Sequence, residues 1–407
     1  MIKLEQNYRS TGNILDAANE LINHNTMRKP KALWTDSEAG EKISVFEAWD
    51  ERHEADFVTN QILDYQNRGL SLAEQVVFYR VHAQSRVLED VLRRKKIPYK
   101  IIGGTRFYDR KEIKDMIAYL RILQNPSDDV SFQRIINTPA RGVGKKAFDA
   151  IKSISAAERL SFYESIQRLL STPSGLSAKV AKTLEDFLAF VKRIHGELEH
   201  LTVTEVLHRV LEKTKYVQEL ELERTVEAQA RIQNIEEFFS AIEEFEELPP
   251  DPEFQGTRLA RFLESISLSS DLDGWNAGTD VLTLMTFHTA KGLEFPIVFM
   301  MGLEEGIFPN GNAYSENLQD IEEERRLCYV GITRARKKLY LSYTRERLLY
   351  GNRQRNLPSR FLMEIPAELL ESNALIRTPV EDDIPFVDFD DADEDQTPRG
   401  KKDYWAD

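Results

Sequence analysis

A parallel α/β domain interrupted by a helical insertion is the architecture this sequence predicts, and three observations predict it. Short apolar runs alternate with amphipathic stretches up to about residue 104. Strand-like patterns then vanish between residues 105 and 275, and they resume at residue 281. Alternation of this kind is the signature of βαβ units.

The elements follow in order. Residues 13–24, after Ser10-Thr11-Gly12, form an amphipathic helix pattern. The runs "ISVFEAW" (43–49), "QVVFYRV" (75–81) and "YKII" (99–102) are strand candidates, with helical patterns at 51–67 and 83–95 between them. Helical periodicity then takes over in "KEIKDMIAYLRIL", "VAKTLEDFLAFVKRIHGEL" and "AQARIQNIEEFFSAIEEFEEL". Strands return as "VLTLMTF" (281–287), "PIVFMMG" (296–302) and "LYLSY" (339–343), and the turn-rich "SSDLDGWNAGTD" marks the re-entry. The expected organisation is therefore residues 1–104 and 276–366 as one α/β domain, with 105–275 as a helical insertion. Three consecutive domains are the alternative. Residues 367–407 lack periodicity and are expected to be a disordered acidic tail.

Composition narrows the class. At 407 residues, 41% hydrophobic and 30% charged, the chain fits a globular protein of two or three domains. The longest apolar stretch, "FPIVFMMGL", is too short to span a bilayer, and "MIKLEQNYRS" has no signal-peptide core. One cysteine, Cys328, excludes an internal disulfide framework and fits a reducing cytoplasm. The net charge of −14 argues against a nucleic-acid partner only until it is mapped. Residues 381–396 hold nine acids and no base, so the rest of the chain sums to −5 (−14 + 9). Basic clusters remain at 93–96, 140–146 and 334–338, and local field decides binding.

Several chemistries lack support in the sequence. No G-x-x-x-x-G-K-[ST] phosphate loop is present: Lys145 and Lys401 follow glycines, but neither precedes Ser or Thr. Glu304 and Glu305 imitate metal-binding acids at a strand end, yet Gly302 and Leu303 set them apart from it. His195 and His200 lie on different faces of a helix, and one cysteine cannot build a thiolate site. The nuclease-like "EIK" (112–114) sits in a helical pattern.

What remains is a set of anion and hydroxyl ligands. "LEQNYRST" places Arg9 where a strand would meet a helix N-terminus. "TFHTAKGLEFPIVF" puts Thr286, His288 and Lys291 after one strand, with Gly292 and Glu294 before the next, and loops at the carboxyl ends of parallel strands bind ligands. In "EEERRLCYVGITRARKK" (322–338), Leu327, Gly331 and Ala335 recur on one helix face that can lie close to a sheet, with Arg334 at its end. Taken singly, Arg9 also fits a surface ion pair, Glu294 a solvated loop acid and His288 a satisfied loop histidine.

Together, "NYRST", "HTAKGLEFPIVF" and "EEERRLCYVGITRAR", in this order and separation, resemble motifs IV, V and VI of the UvrD/PcrA/Rep-type superfamily 1 DNA helicases. The likeness runs from Leu4 to about Pro366. It implies that the α/β part is a second RecA-like motor domain and the insertion its helical subdomain. It also implies the C-terminal half of an ATP-dependent, 3′-to-5′ DNA helicase serving repair or replication in the bacterial cytoplasm. By that resemblance Arg9 and Arg334 reach the γ-phosphate of ATP, Glu294, two residues after Gly292 in the same nucleotide-binding motif, holds the ribose, and Arg80, Thr286 and His288 contact single-stranded DNA. The family usually has Asn where this chain has His82, so the resemblance does not carry that side-chain contact over. "TPARGVGKKAF" resembles the loop that grips duplex phosphates, through Arg141, Gly142, Gly144, Lys145 and Lys146; without the family it is equally a solvated basic turn. The phosphate loop and the Mg2+-binding acids would lie in a first motor domain preceding Met1, which becomes the implied partner. RNA polymerase or repair proteins are further implied partners. The competing function is a DNA- or protein-binding module that works without nucleotide.

Overall fold

The computed structural model describes residues 6–26, 33–172, 176–249, 254–271, 280–290, 292–310 and 318–373. The chain divides between Phe107 and Tyr108 and again between Asp273 and Gly274, giving two compact units. The flanking segments form one unit around a parallel sheet. Its strands are β1 (Ile43–Ala48), β2 (Gln75–Tyr79), β3 (Tyr99–Ile102), β4 (Leu282–Thr286), β5 (Phe295–Met300) and β6 (Ala335–Thr344). After a small antiparallel hairpin of β7 (Arg347–Leu349) and β8 (Asn352–Gln354), β9 (Leu370–Ser372) completes it. The spatial order is β3-β4-β2-β5-β6-β1-β9, with all neighbours parallel, so the expected α/β class is what forms.

Both faces of this sheet are covered, which is why β2 and β4 are buried at every position. Side chains alternate between layers. Val76 and Phe78 pack with Ala17 and Leu21 of α1 (Gly12–Asn23), while Val77 and Tyr79 pack with Val58 and Ile62 of α2 (Glu51–Asn67) and Leu88 of α3 (Ser85–Arg94).

The inner segment is helical: α4 (Lys111–Gln124), α5 (Asp129–Ile135), α6 (Lys145–Glu158), α7 (Phe162–Leu170), α8 (Ala178–Glu197), α9 (Val203–Thr214), α10 (Tyr216–Glu223), α11 (Val226–Glu246) and α12 (Arg258–Asp271). Helix α4 is buried nearly all round, including the acids Glu112 and Asp115, and packs against α5, α8, α9, α11 and α12. Its Glu112 accepts from Asn234 Nδ2 at 2.6 Å, and Asp115 accepts from Arg134 Nε at 2.7 Å and the Tyr216 hydroxyl at 2.8 Å. The acid of "EIK" is thus bound up in helix packing.

Back in the sheet unit, α13 (Leu318–Ile332) is followed by α14 (Arg360–Met363). A Cβ on Gly331 would lie 3.0 Å from Met300 Cε and from Phe287 Cδ1, so glycine lets α13 press onto the sheet there. Charged residues fasten the other end of α13. Glu322 accepts from the Thr26 amide at 2.6 Å, and Arg325 grips both oxygens of Glu364 at 2.7 Å and Asn25 Oδ1 at 2.6 Å.

Three expectations need correction. Strand β6 begins at Ala335 rather than Leu339. Its basic residues concealed it: Lys338 is buried, bonded to the Lys42 carbonyl at 2.7 Å and to Glu371 at 2.8 Å. Residues 367–373, assigned from sequence to the acidic tail, instead make a 3-10 turn and β9. Beyond β9, the Asn373 side chain accepts from the Glu47 amide at 2.8 Å and donates to the Glu47 carbonyl at 3.2 Å, closing the sheet edge. The acidic tail from residue 374 lies outside the described residues. Finally, no ladder strand leads into Arg9 among the described residues, where Gln6 makes only an isolated bridge to Trp34.

Candidate functional site

Parallel strands put all their amino ends on one edge of the sheet, and this separates residues that sequence reasoning placed in one loop. Thr286 ends β4 at the carboxyl edge, whereas Glu294 precedes β5 at the amino edge. Lys291, between them, lies outside the described residues.

At the amino edge, Asn7 Oδ1 accepts from the amides of Arg9 (2.7 Å) and Ser10 (3.0 Å), folding the segment back on itself. The Ser10 hydroxyl then donates to the Ala335 carbonyl at 2.7 Å, tying it to the start of β6. Arg9 Nε donates to Glu294 Oε2 at 2.5 Å and Nη1 to the Thr333 carbonyl at 3.1 Å. Gly292, at φ +87° with open space around it, makes the left-handed turn before Glu294. Helix α13 stops at Ile332, and the turn through Thr333 delivers Arg334 beside the same group. Arg334 donates to the carbonyls of Val330 (2.9 Å) and Leu293 (3.1 Å) and to Thr333 Oγ1 (3.2 Å). Arg336 Nη1 stands 3.7 Å from Glu294 Oε1.

The guanidinium groups of Arg9 and Arg336 therefore pair with one carboxylate, and the positive charge of Arg334 acts on it as well. The hydrogen bond from Arg9 holds the Glu294 carboxyl below its ordinary range. Burial and the nearby positive charge of Arg9 lower the Arg334 pKa. Arg334 uses three of its five N–H donors on the protein. An excess of half-solvated positive charge with donors to spare suits a polyphosphate, and the 43%-exposed Glu294 side chain can accept from a hydroxyl. Tyr8, next to Arg9, is 80% exposed and offers an aromatic face. The described residues contain no group of three acids, histidines or cysteines placed to hold a metal ion.

At the carboxyl edge, Arg80 follows β2 directly. Gln84 Oε1 accepts from the amides of Arg80 (2.9 Å) and Val81 (3.0 Å), fixing the backbone there. The guanidinium of Arg80 is gripped by Glu324 of α13. Thr286 is buried, with its carbonyl accepting from Thr289 Oγ1 at 2.9 Å. His288 is exposed, yet partial desolvation and the charge of Arg80 push its pKa below the usual imidazole value. His82 packs its ring against Gly104, where an added Cβ would come within 2.6 Å.

In the helical unit the basic loop divides into an inner and an outer part. The Arg141 guanidinium turns inward: it donates to the Ile135 carbonyl (2.9 Å), the Thr138 carbonyl (3.2 Å) and the Tyr119 hydroxyl, and stacks 4.8 Å from the Phe187 ring centroid. It caps the end of α5, so its guanidinium is bonded within the protein, unlike the exposed lysines of the same loop. Gly142 (φ +77°), Gly144, Lys145 and Lys146 are exposed. Gly144 is the N-cap of α6 at φ −76°, ψ 177°, an extended conformation open to any residue, and no side chain caps the helix. The glycine that the backbone requires is Gly142.

Glu304 and Glu305 are accounted for without metal. Glu304 is buried against Arg347 at 2.7 Å, and Glu305 pairs with Arg360 at 2.9 Å. Sequence reasoning missed Arg336, Tyr8 and Glu324. Arg336 had a signal: it lies in the same basic run as Arg334, two residues further on.

A sequence model described as the UvrD-like helicase C-terminal domain matches residues 2–346. The ATP-dependent DNA helicase PcrA of Staphylococcus epidermidis is 45% identical over 373 residues, covering 91% of this chain and 50% of that protein. PcrA of Staphylococcus aureus is 46% identical over 374 residues, covering 92% and 50%. The chain thus spans about half the length of the curated relatives it matches. The solved C-terminal domain of a possible DNA helicase from a Lactobacillus covers 90% of the chain and 99% of its own, at a TM-score of 0.35 and 10% identity, too distant to bear on the fold. The matched span takes in the residues at both edges of the sheet, and on that ground the chain belongs to the UvrD-like helicase C-terminal domain family.

Proposed function

We propose that the chain supplies the second RecA-like motor domain of an ATP-dependent, 3′-to-5′ DNA helicase, together with its inserted duplex-binding subdomain. The observation that carries the reading is the pairing of Arg9 and Arg336 with Glu294 at the amino edge, under the added positive charge of Arg334. In this reading Arg9 and Arg334 face the γ-phosphate, Arg334 as an arginine finger, and Glu294 accepts from the ribose. When bound, Mg2+ would neutralise phosphate charge and be held mainly by the first motor domain. Arg80 and His288, at the opposite edge, contact single-stranded DNA. The exposed Gly142, Gly144, Lys145 and Lys146, with the uncapped amides of α6, contact duplex phosphates. The PcrA relatives support helicase activity for the longer protein.

The test is reconstitution. This chain lacks the phosphate loop, so by itself it should give no ATP turnover above background, with or without single-stranded DNA. Mixed with a first motor half, it should give DNA-stimulated turnover. Arg334→Ala should then cut that turnover by roughly 10³ or more, the scale of an arginine finger. Glu294→Ala should mainly weaken nucleotide binding. A reconstituted Arg334→Ala enzyme turning over near the parent rate overturns the assignment.

A further inference from the structure

Glu324 is a buried acid beside a residue proposed to bind DNA, and simple electrostatics would make it a liability there. Its geometry argues otherwise. The carboxylate meets Arg80 side-on: Oε2 accepts from Nε at 2.9 Å, and Oε1 accepts from Nη2 at 2.8 Å and from Nε at 3.2 Å. Oε2 also accepts from the Asn310 amide at 3.0 Å, which fixes the carboxylate from a second direction. Both side chains are largely covered, at 16% exposure for Arg80 and 8% for Glu324. Among the described residues Nη1 makes no hydrogen bond, so the far edge of the guanidinium keeps its donors. The Gln84 side chain holds the Arg80 backbone while Glu324 holds the head group. An arginine fixed at both ends has already lost most of its rotamer freedom before any ligand arrives.

From this geometry we infer that Glu324 is a positioning residue for DNA binding: it clamps the Nε/Nη2 edge of Arg80 so that the Nη1 edge is presented to a backbone phosphate. The inference rests on the proposed contact between Arg80 and single-stranded DNA. It places a residue of α13, the helix that leads to Arg334, in the DNA site.

The sign of one substitution separates this from a charge effect. Glu324→Gln removes a negative charge near DNA, so charge alone predicts tighter binding. Positioning predicts weaker binding, because a neutral amide no longer holds the guanidinium bidentately. The 407-residue chain is titrated with a short fluorescent oligothymidylate at several salt concentrations, with thermal melting to verify folding. Glu324→Gln should lose roughly five- to tenfold in affinity, within the range for coupled side chains in one network. Its log–log salt slope should fall by about 0.7, one single-strand phosphate, as should that of Arg80→Ala. The double variant should bind no worse than Arg80→Ala. Glu324→Asp, which keeps the charge but shortens the reach, should also weaken binding. Unchanged or tighter binding by Glu324→Gln, with Arg80→Ala still weakened, overturns the clamp and leaves the DNA contact standing. If Arg80→Ala binds like its parent, the DNA contact itself fails and the clamp falls with it.

Discussion

His288 shows how a single side chain joins structure to a pH dependence. Desolvation first, then the charge of Arg80, lowers its pKa, with Glu323 and Glu324 acting weakly in the other direction. The folded chain therefore favours neutral imidazole. Its stabilising contribution is complete above the unfolded value of about 6.5 and is lost as pH falls from there toward the lowered folded value. A DNA phosphate arriving nearby would favour the charged ring and so raise the pKa again. Binding of single-stranded DNA should then take up a proton, and affinity should increase several-fold between about pH 7.5 and pH 6. His288→Gln should flatten that dependence, as measured by anisotropy at constant ionic strength. A parent chain whose affinity is unchanged across this range would remove His288 from the DNA site. At this scale the sequence was informative about residue types and less so about partners. "NYRST" and "TRAR" announced Arg9 and Arg334, but nothing local showed that Arg9 bonds to Glu294 or that the charge of Arg334 acts on the same carboxylate. That contact joins residues 285 positions apart and exists only once the sheet has formed.

Elements reveal where local patterns mislead. The loop "TPARGVGKKAF" contains two glycines and three bases that look interchangeable. Only Gly142 sits in left-handed space, at φ +77°, and only Arg141 is turned inward. Gly142→Val should therefore distort the loop and weaken duplex binding more than Gly144→Val or Lys145→Ala, since β-branched residues are strained at positive φ. Anisotropy on a short duplex checks the order, and equal losses for the two glycine variants would reduce the loop to surface charge. Strand β9 gives the second case. Its sequence, "LES", carries almost no strand signal, and the sheet recruits it through tertiary contacts. Leu370, Glu371 and Ser372 pair with Ile43, Ser44 and Val45, and Glu371 neutralises buried Lys338. Truncation after residue 366 should lower the melting temperature by several degrees, because it uncovers the edge of β1 and leaves buried Lys338 with Glu41 as its one remaining carboxylate among the described residues. Truncation after residue 373 should change it by no more than about one or two degrees, as an acidic segment cannot bury a core. Equal losses from the two truncations would mean that β9 contributes nothing. The strands buried on both faces were legible from their apolar runs. β9 and the start of β6 were not, because ion pairs there take the place of apolar side chains.

For the whole molecule, charge distribution outweighs charge total. Nine of the fourteen excess negative charges sit in residues 381–396, while the groups proposed to meet DNA lie elsewhere in the chain. An acidic segment tethered to a DNA-binding body repels the same phosphates its arginines and lysines attract, and it lowers affinity through the long-range field alone. That penalty must be screened by salt, since the Debye length falls from about 30 Å at 0.01 M to about 8 Å at 0.15 M. Deleting residues 381–396 takes the formal charge from −14 to −5 and removes no residue of the sheet. The deleted chain should bind duplex DNA several-fold more tightly than its parent near 0.02 M salt, and the two should converge at about 0.2 M or above. Because the phosphate contacts are unchanged, the deletion steepens the apparent salt dependence of the chain. Replacing the same nine acids with their amides should reproduce the effect, which separates charge from chain length. An advantage that persists undiminished at high salt would show that the segment covers the DNA site by direct contact instead.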